Sequence, residues 1–163
     1  MVDFKLALKK GLNAAEKAEA NRKEIESVLE GLNEQLWEET EGKLEIVQEL
    51  DYKDKNAFVR AAFVIGSLSN QTTDLQMVNY LSCKNPSSNN TNKLKLSEFR
   101  IGRAGYPCEL KIGAEEMFCE DKQAFEEALG YLLSDPVAAD KMYKVMQYEV
   151  AYIEPDESGA DDS

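Results

Sequence analysis

The feature that most constrains the fold of this chain is a stripe of apolar and small residues that repeats every seven positions at the N-terminus. From Phe4 to Leu36 the stripe alternates between spacings of four and three, with Arg22 as its polar exception. This spacing keeps the side chains on one side of an α-helix, and a strict heptad is the pattern through which helices pair in coiled coils. No Pro precedes Gly42. The sequence therefore predicts one helix over residues 3–39, about 50 Å long at 1.5 Å per residue. The capping-box spacing of Asn21 and Glu24 leaves a kink near residue 20 as an alternative.

This stripe predicts self-association of the helix. Its positions between Gly11 and Ala20 are small, which permits close approach of a second helix. Arg22 in the seam would require an acidic partner, which Glu19 or Glu26 of a neighbouring helix could supply. The alternative is that the helix packs on its own sheet, and the half from residue 25 to residue 37 is expected to dock there. The candidate oligomer interface comprises Leu8, Ala15, Arg22, Ile25, Leu29, Leu32 and Leu36.

After Gly42 the hydrophobic period changes to the two-residue alternation of strands. Residues 58–68 are predicted to be a strand, with a helix as the alternative because they contain several Ala. Residues 75–83 are also predicted to be a strand, with a short helix as the alternative. The alternation slips near Ser97, which is typical of a β-bulge. The predicted strands cover residues 44–49, 58–68, 75–83, 94–101, 106–112 and 116–119.

The C-terminal part predicts two helices and a tail. Asp121 is a candidate N-cap for the first helix, and Pro136 suits the first turn of the second. The fold class is therefore α+β: a long amphipathic, coiled-coil-like N-terminal helix, an antiparallel meander of about five or six strands, a helical hairpin and a disordered acidic tail. The predicted divisions are residues 1–42, 43–153 and 154–163.

The net charge of −12 is unevenly distributed along the chain. Residues 1–42 carry −4, the ten residues of the tail carry −5, and residues 43–153 carry only −3. A row of glutamates on the long helix, interrupted towards the N-terminus by lysines, is a candidate acidic binding surface: Glu26, Glu30, Glu34 and Glu38. Carboxylates in such a row could imitate the phosphates of DNA.

A basic stretch follows in the predicted meander. Five cations lie close together in sequence, and Phe99 and Tyr106 among them are residue types that stack on single-stranded nucleic acid. Solubilising charges on an exposed sheet face are the favoured interpretation, since a chain with pI ≈ 4.5 repels phosphate at long range. Docking of the acidic tail is another. This candidate basic hairpin comprises Lys93, Lys95, Arg100, Arg103 and Lys111.

The composition argues against common catalytic chemistry. The chain has no histidine, which removes the usual general base and the commonest metal ligand. Its three cysteines, Cys83, Cys108 and Cys119, have neither CxxC spacing nor a disulfide framework, and they are predicted to be small buried hydrophobes. The acids at residues 115, 116, 120 and 121 are interpreted as a solvated entrance to a helix. We therefore predict no enzyme, no metal and no cofactor.

Together these features predict a cytoplasmic protein-interaction module that oligomerises through its N-terminal helix and binds another protein. No apolar run approaches the ~20 residues that span a bilayer, and direct nucleic-acid binding is not expected. One alternative is a DNA mimic of the kind that phages and mobile elements use to inhibit nucleic-acid enzymes. A further alternative, by analogy with other small acidic α+β dimers, is a secretion-type chaperone.

Overall fold

A computed structural model describes residues 1–53 and 76–150 of the chain. Within these residues a long helix is followed by five strands and then two short helices, which confirms the predicted α+β class. The predicted strand over residues 58–68 and the predicted tail over residues 154–163 lie outside the described residues. The elements are α1 (Phe4–Thr40), β1 (Glu45–Tyr52), β2 (Met77–Lys84), β3 (Leu94–Gly102), β4 (Gly105–Ile112), β5 (Glu115–Cys119), α2 (Lys122–Ser134) and α3 (Pro136–Met146).

Helix α1 is continuous over 37 residues, as predicted. Asp3 caps its N-terminus, where the carboxylate accepts hydrogen bonds from the backbone N–H groups of Lys5 and Leu6. At the other end Glu41 is left-handed, with φ 54°, and the N–H of Gly42 donates to the carbonyl of Trp37 at 3.0 Å. The helix therefore ends where the apolar period of the sequence changes.

The five strands form one antiparallel meander in the order β1-β2-β3-β4-β5. Residues 77–84 are a strand, which confirms the strand predicted over residues 75–83 for this part, and its helical alternative was wrong. Leu81 pairs with Ser97 and Ser82 pairs with Lys95, which makes Leu96 an extra residue on β3. This irregularity is the β-bulge that the sequence predicts near Ser97.

The two C-terminal helices begin at the predicted residues. The Asp121 side chain accepts from the N–H of Ala124 at 2.8 Å and starts α2. Asp135 accepts from the N–H of Ala138 at 3.0 Å and starts α3, with Pro136 in its first turn. A backbone N–H in the first turn of a helix has no helical acceptor, so Pro136, which lacks an N–H, loses no hydrogen bond there.

A single buried cluster joins side chains from each of the described helices and strands. At its centre the rings of Phe99 and Phe125 stack, with centroids 5.5 Å apart and planes 7° apart. From α1 only the second half contributes, through Ile25, Val28 and Leu29. Burying side chains of this size removes roughly 1.5–3 kcal/mol of unfavourable hydration each. Apolar burial therefore holds the second half of α1 on the body, which is the name we give to the sheet together with helices α2 and α3.

Two sets of polar contacts fix the position of α1 on the sheet. Towards its C-terminal end, the Asn33 amide donates to the carbonyl of Ile46 at 2.8 Å and accepts from the N–H of Ile46 at 2.9 Å. Ile46 belongs to β1, an edge strand of the described sheet, and Asn33 pairs with it as a neighbouring strand would.

The second set lies at the turn between β3 and β4. There Asn21 donates to the carbonyl of Ala104 at 2.8 Å, and Arg22 donates to the carbonyl of Arg103 at 2.6 Å. Gly105 has φ +84°, and a Cβ atom on it would lie 2.6 Å from the Cβ of Asn21. The turn thus approaches the helix more closely than any other residue type would allow.

We expect Gly105→Ala to destabilise the protein more than Gly113→Ala. Both glycines have positive φ, so each Ala costs about 1–2 kcal/mol in backbone strain. Only Gly105 faces α1, since nothing lies within 4 Å of a Cβ on Gly113. Overpacking against Asn21 adds about 1–3 kcal/mol for Gly105→Ala. Urea unfolding of both variants measures the difference, and equal losses of stability would contradict this close contact.

Candidate interaction surface

The first part of α1 extends beyond the body of the protein. All fourteen residues from Phe4 to Lys17 are exposed, and Ala18 is the first buried residue of the helix. We call residues 4–17 the projecting segment, which extends about 21 Å at 1.5 Å per residue. Its described hydrogen bonds outside the helix are to Asp3, and every one of its residues is exposed, so no described part of the chain buries it.

The projecting segment carries large apolar side chains on one side. Phe4 is 79% exposed, Leu8 63% and Leu12 57%. Phe4 and Leu8 form an exposed apolar stripe with Gly11 and Ala15, and Leu12 lies beside this stripe. The stripe lies on the same side of α1 as the core residues further along, because the four–three spacing continues through residue 18.

The predicted oligomer interface divides into two parts at residue 18. Leu8 and Ala15 lie on the projecting segment, but the other five residues are engaged within the chain itself. Ile25 and Leu29 belong to the core, and Leu32 and Leu36 pack against it. Arg22 donates to the Arg103 carbonyl, not to a carboxylate of a neighbouring helix. The reason is that the sheet of the same chain covers this side of α1.

Two large apolar residues of the exposed surface, Phe4 and Leu12, were absent from the predicted interface. Phe4 belongs to the heptad and begins the helix, so its spacing is a usable signal. Leu12 lies one position beyond the stripe residue Gly11 and four beyond Leu8, which puts it on the flank of the stripe. Because Gly11 has no side chain beyond a hydrogen atom, this flank is accessible.

The candidate acidic surface is a row on successive turns of α1. All four predicted glutamates are exposed, about 6 Å apart along the helix axis. No Lys or Arg follows Lys23 within α1, so the lysines of this helix lie to the N-terminal side of the row. Lys23 itself pairs with Glu19 at 3.8 Å. The row is therefore an uninterrupted negative surface from Glu24 onward.

The candidate basic hairpin does not form a uniform basic surface. Lys111 lies opposite Glu98 on one side and Glu116 on the other. Arg100 lies opposite Glu109, with 3.9 Å between guanidinium nitrogen and carboxylate oxygen. Positive and negative side chains therefore alternate across β3, β4 and β5, which neutralises the local field.

The remaining three basic residues are dispersed. Lys95 pairs with Asp51 at 2.8 Å, and its ammonium group lies 4.3 Å from the centroid of the Tyr80 ring. Arg103 is in the turn that holds α1, and Lys93 is exposed just before β3. The structure thus separates residues that are close in sequence. Neither of the two aromatic residues offers a stacking surface: Phe99 is in the core, and the Tyr106 hydroxyl donates to Glu24 at 2.9 Å.

The three cysteines are buried, and one of the four clustered acids caps a helix. All three cysteines are free and buried, as predicted. Burial raises the pKa of the Cys83 thiol to about 11 and that of Cys108 to about 12, so both are protonated and weakly nucleophilic at neutral pH. Of the acids at residues 115–121, Asp121 caps α2. Among residues 1–53 and 76–150, no group of three or more His, Cys, Asp or Glu side chains is placed to hold a metal.

None of the described helices combines the length and the apolar character that a membrane span requires. Helix α1 has the length, but charged residues occur throughout it. Comparison of the chain with models of protein families, with curated proteins and with solved structures finds no match.

Proposed function

We propose that the protein is a non-enzymatic interaction module that self-associates through the projecting segment and binds another protein through its body. The observation that carries the proposal is the exposure of Phe4, Leu8 and Leu12 on a helix that extends beyond its own core. A rigid helix with an unpartnered apolar side is suited to receive a second apolar surface.

The absence of enzymatic activity and a cytoplasmic location are parts of the same proposal. The chain has no histidine, and its three cysteines are free and buried. Free thiols are typical of a reducing compartment, where disulfides seldom persist. The mixed charges on the sheet favour a protein partner for the body over a nucleic acid.

Self-association is tested by matched single substitutions, Leu8→Glu and Leu6→Glu. Leu8 is on the stripe, whereas Leu6 is 50% exposed and lies about 160° from Leu8 around the helix at 100° per residue. Glu has nearly the helix propensity of Leu, so both variants keep the helix. Light scattering is expected to give twice 18.3 kDa for the wild type and for Leu6→Glu, and 18.3 kDa for Leu8→Glu.

The physical reason is that Leu8→Glu places a carboxylate in an apolar contact, where it loses its hydration. Short interfaces are weak, so the measurement needs protein at about 100 µM and above. A wild type that remains a monomer there would overturn the proposal. Equal dissociation by both variants would show that the stripe is not the contact surface.

A second candidate function, a mimic of DNA, is favoured by the acidic row. Four exposed carboxylates on successive turns, with no cation after Lys23, present a continuous line of negative charge. Such a line attracts the basic cleft of a nucleic-acid enzyme at low ionic strength. It is the second choice because an exposed acidic face is also what keeps a long helix solvated.

An affinity-capture experiment distinguishes the two functions. Glu26, Glu30 and Glu34 are replaced with Gln, and the wild type and the variant are each immobilised to capture proteins from an extract of the native host. We expect the retained proteins to be unchanged by these substitutions and by added duplex DNA. A control that replaces the exposed Glu115, Glu116 and Glu120 with Gln removes the same charge elsewhere. Loss of a retained nuclease or polymerase in the first variant alone would favour mimicry.

A further inference from the structure

We infer that two copies pair through their projecting segments in antiparallel orientation, with Gly11 of each copy at the twofold axis. This inference rests on the proposed self-association and adds to it the direction and the register of the helices. Three independent features of the chain support it: the position of the sheet, the length of the projecting segment, and the order of its side chains.

The position of the sheet excludes a parallel pair. In each copy the stripe side of α1 is covered by its own sheet from Ala18 onward. Packed helices have axes about 8–10 Å apart, so a second helix running parallel along the stripe would enter the space of that sheet. In an antiparallel pair, the covered part of each helix lies beyond the N-terminal end of the other helix. The two bodies are then at opposite ends of the pair.

The length of the projecting segment fixes the register. Helix α1 begins at Phe4, after the Asp3 cap, and the covered part begins at Ala18. An antiparallel helix can therefore advance until its Phe4 is level with Ala18 of the first copy. The midpoint between these residues is Gly11, which becomes the residue on the twofold axis. A Cβ atom on Gly11 would meet nothing within 4 Å in the single chain, so this place is open to a second copy.

The order of side chains fits this register. Phe4 of one copy reaches the edge of the other body beside Ala18, Leu8 faces Ala15, and Gly11 faces Gly11. Each large side chain of the stripe itself thus meets a small one, which allows two helices to pack closely without voids. A parallel pair would instead place Phe4 on Phe4 and Ala15 on Ala15, with large and small layers separated.

The flanks of the stripe agree with the same register. On one flank Leu12 of each copy meets Leu12 of the other, and Lys5 of one copy lies beside Glu19 of the other. On the opposite flank Ala7 faces Ala14, which permits close approach of the backbones. The flank contacts therefore bring together apolar residues, opposite charges and small residues, without a pair of like charges.

Cross-linking of introduced cysteines tests the orientation in the full chain. Cys83, Cys108 and Cys119 are buried, so a short bis-maleimide reacts selectively at new surface positions. The variants are Lys5→Cys, Glu19→Cys and Leu12→Cys. Replacing Lys5 or Glu19 removes at most an exposed ion pair, which contributes little to pairing.

In the antiparallel pair, Lys5→Cys alone and Glu19→Cys alone are expected to give no cross-linked dimer, because equivalent residues lie about 20 Å apart along the axis. An equimolar mixture of the two variants is expected to cross-link, and so is Leu12→Cys alone. Efficient cross-linking of Lys5→Cys with itself would overturn the antiparallel orientation and leave self-association intact. Failure of the Lys5→Cys and Glu19→Cys mixture to cross-link, with a monomeric mass for the wild type at high concentration, would overturn self-association itself.

Discussion

The arrangement of this protein depends on the contact between the β3–β4 turn and α1. Gly105 brings the backbone of the turn against Asn21, and the Asn21 and Arg22 side chains donate to carbonyl groups of the same turn. These residues are more than eighty positions apart in sequence. The contact determines where along the helix the body begins, and the reciprocal pairing of Asn33 with β1 determines where the helix lies at its other end. These two contacts together orient α1, and the core of the same chain covers only the second half of this helix.

The two halves of α1 consequently differ in what their apolar side chains contact. In the second half, Ile25 and Leu29 are removed from water by the sheet and by α2. In the first half, the same side of the helix presents Phe4 and Leu8 to solvent. A helix as polar as this one gains most of its stability from packing, so the projecting segment is the part of α1 with least support within a single chain. Pairing with a second copy would supply the missing apolar contact.

Much of the fold could be predicted from the sequence because local patterns determine it. The heptad and the absence of Pro predict one helix, the predicted strands include all five that the structure describes, with their bulge, and Asp121 and Pro136 mark the starts of the last two helices. The division of α1 could not be predicted in this way. The stripe continues unchanged across residue 18, and an apolar pattern does not distinguish a contact with the chain's own sheet from a contact with a partner. That distinction depends on Gly105 and Asn21, a contact between distant residues that leaves no periodic signal. The surroundings of the basic residues likewise could not be predicted, because they depend on the strand register. That register places an acid opposite Arg100 and acids on both sides of Lys111.

The central claim is that one side of a continuous helix serves as core in its second half and as an intermolecular surface in its first. Amide hydrogen exchange along α1 at several protein concentrations tests it most directly, since exchange reports local opening residue by residue. The account predicts strong protection of residues 25–36 at every concentration, and protection of residues 8–17 that is weak in dilute protein and rises as concentration increases. Protection of residues 8–17 that does not change with concentration, whether high or low, would contradict it.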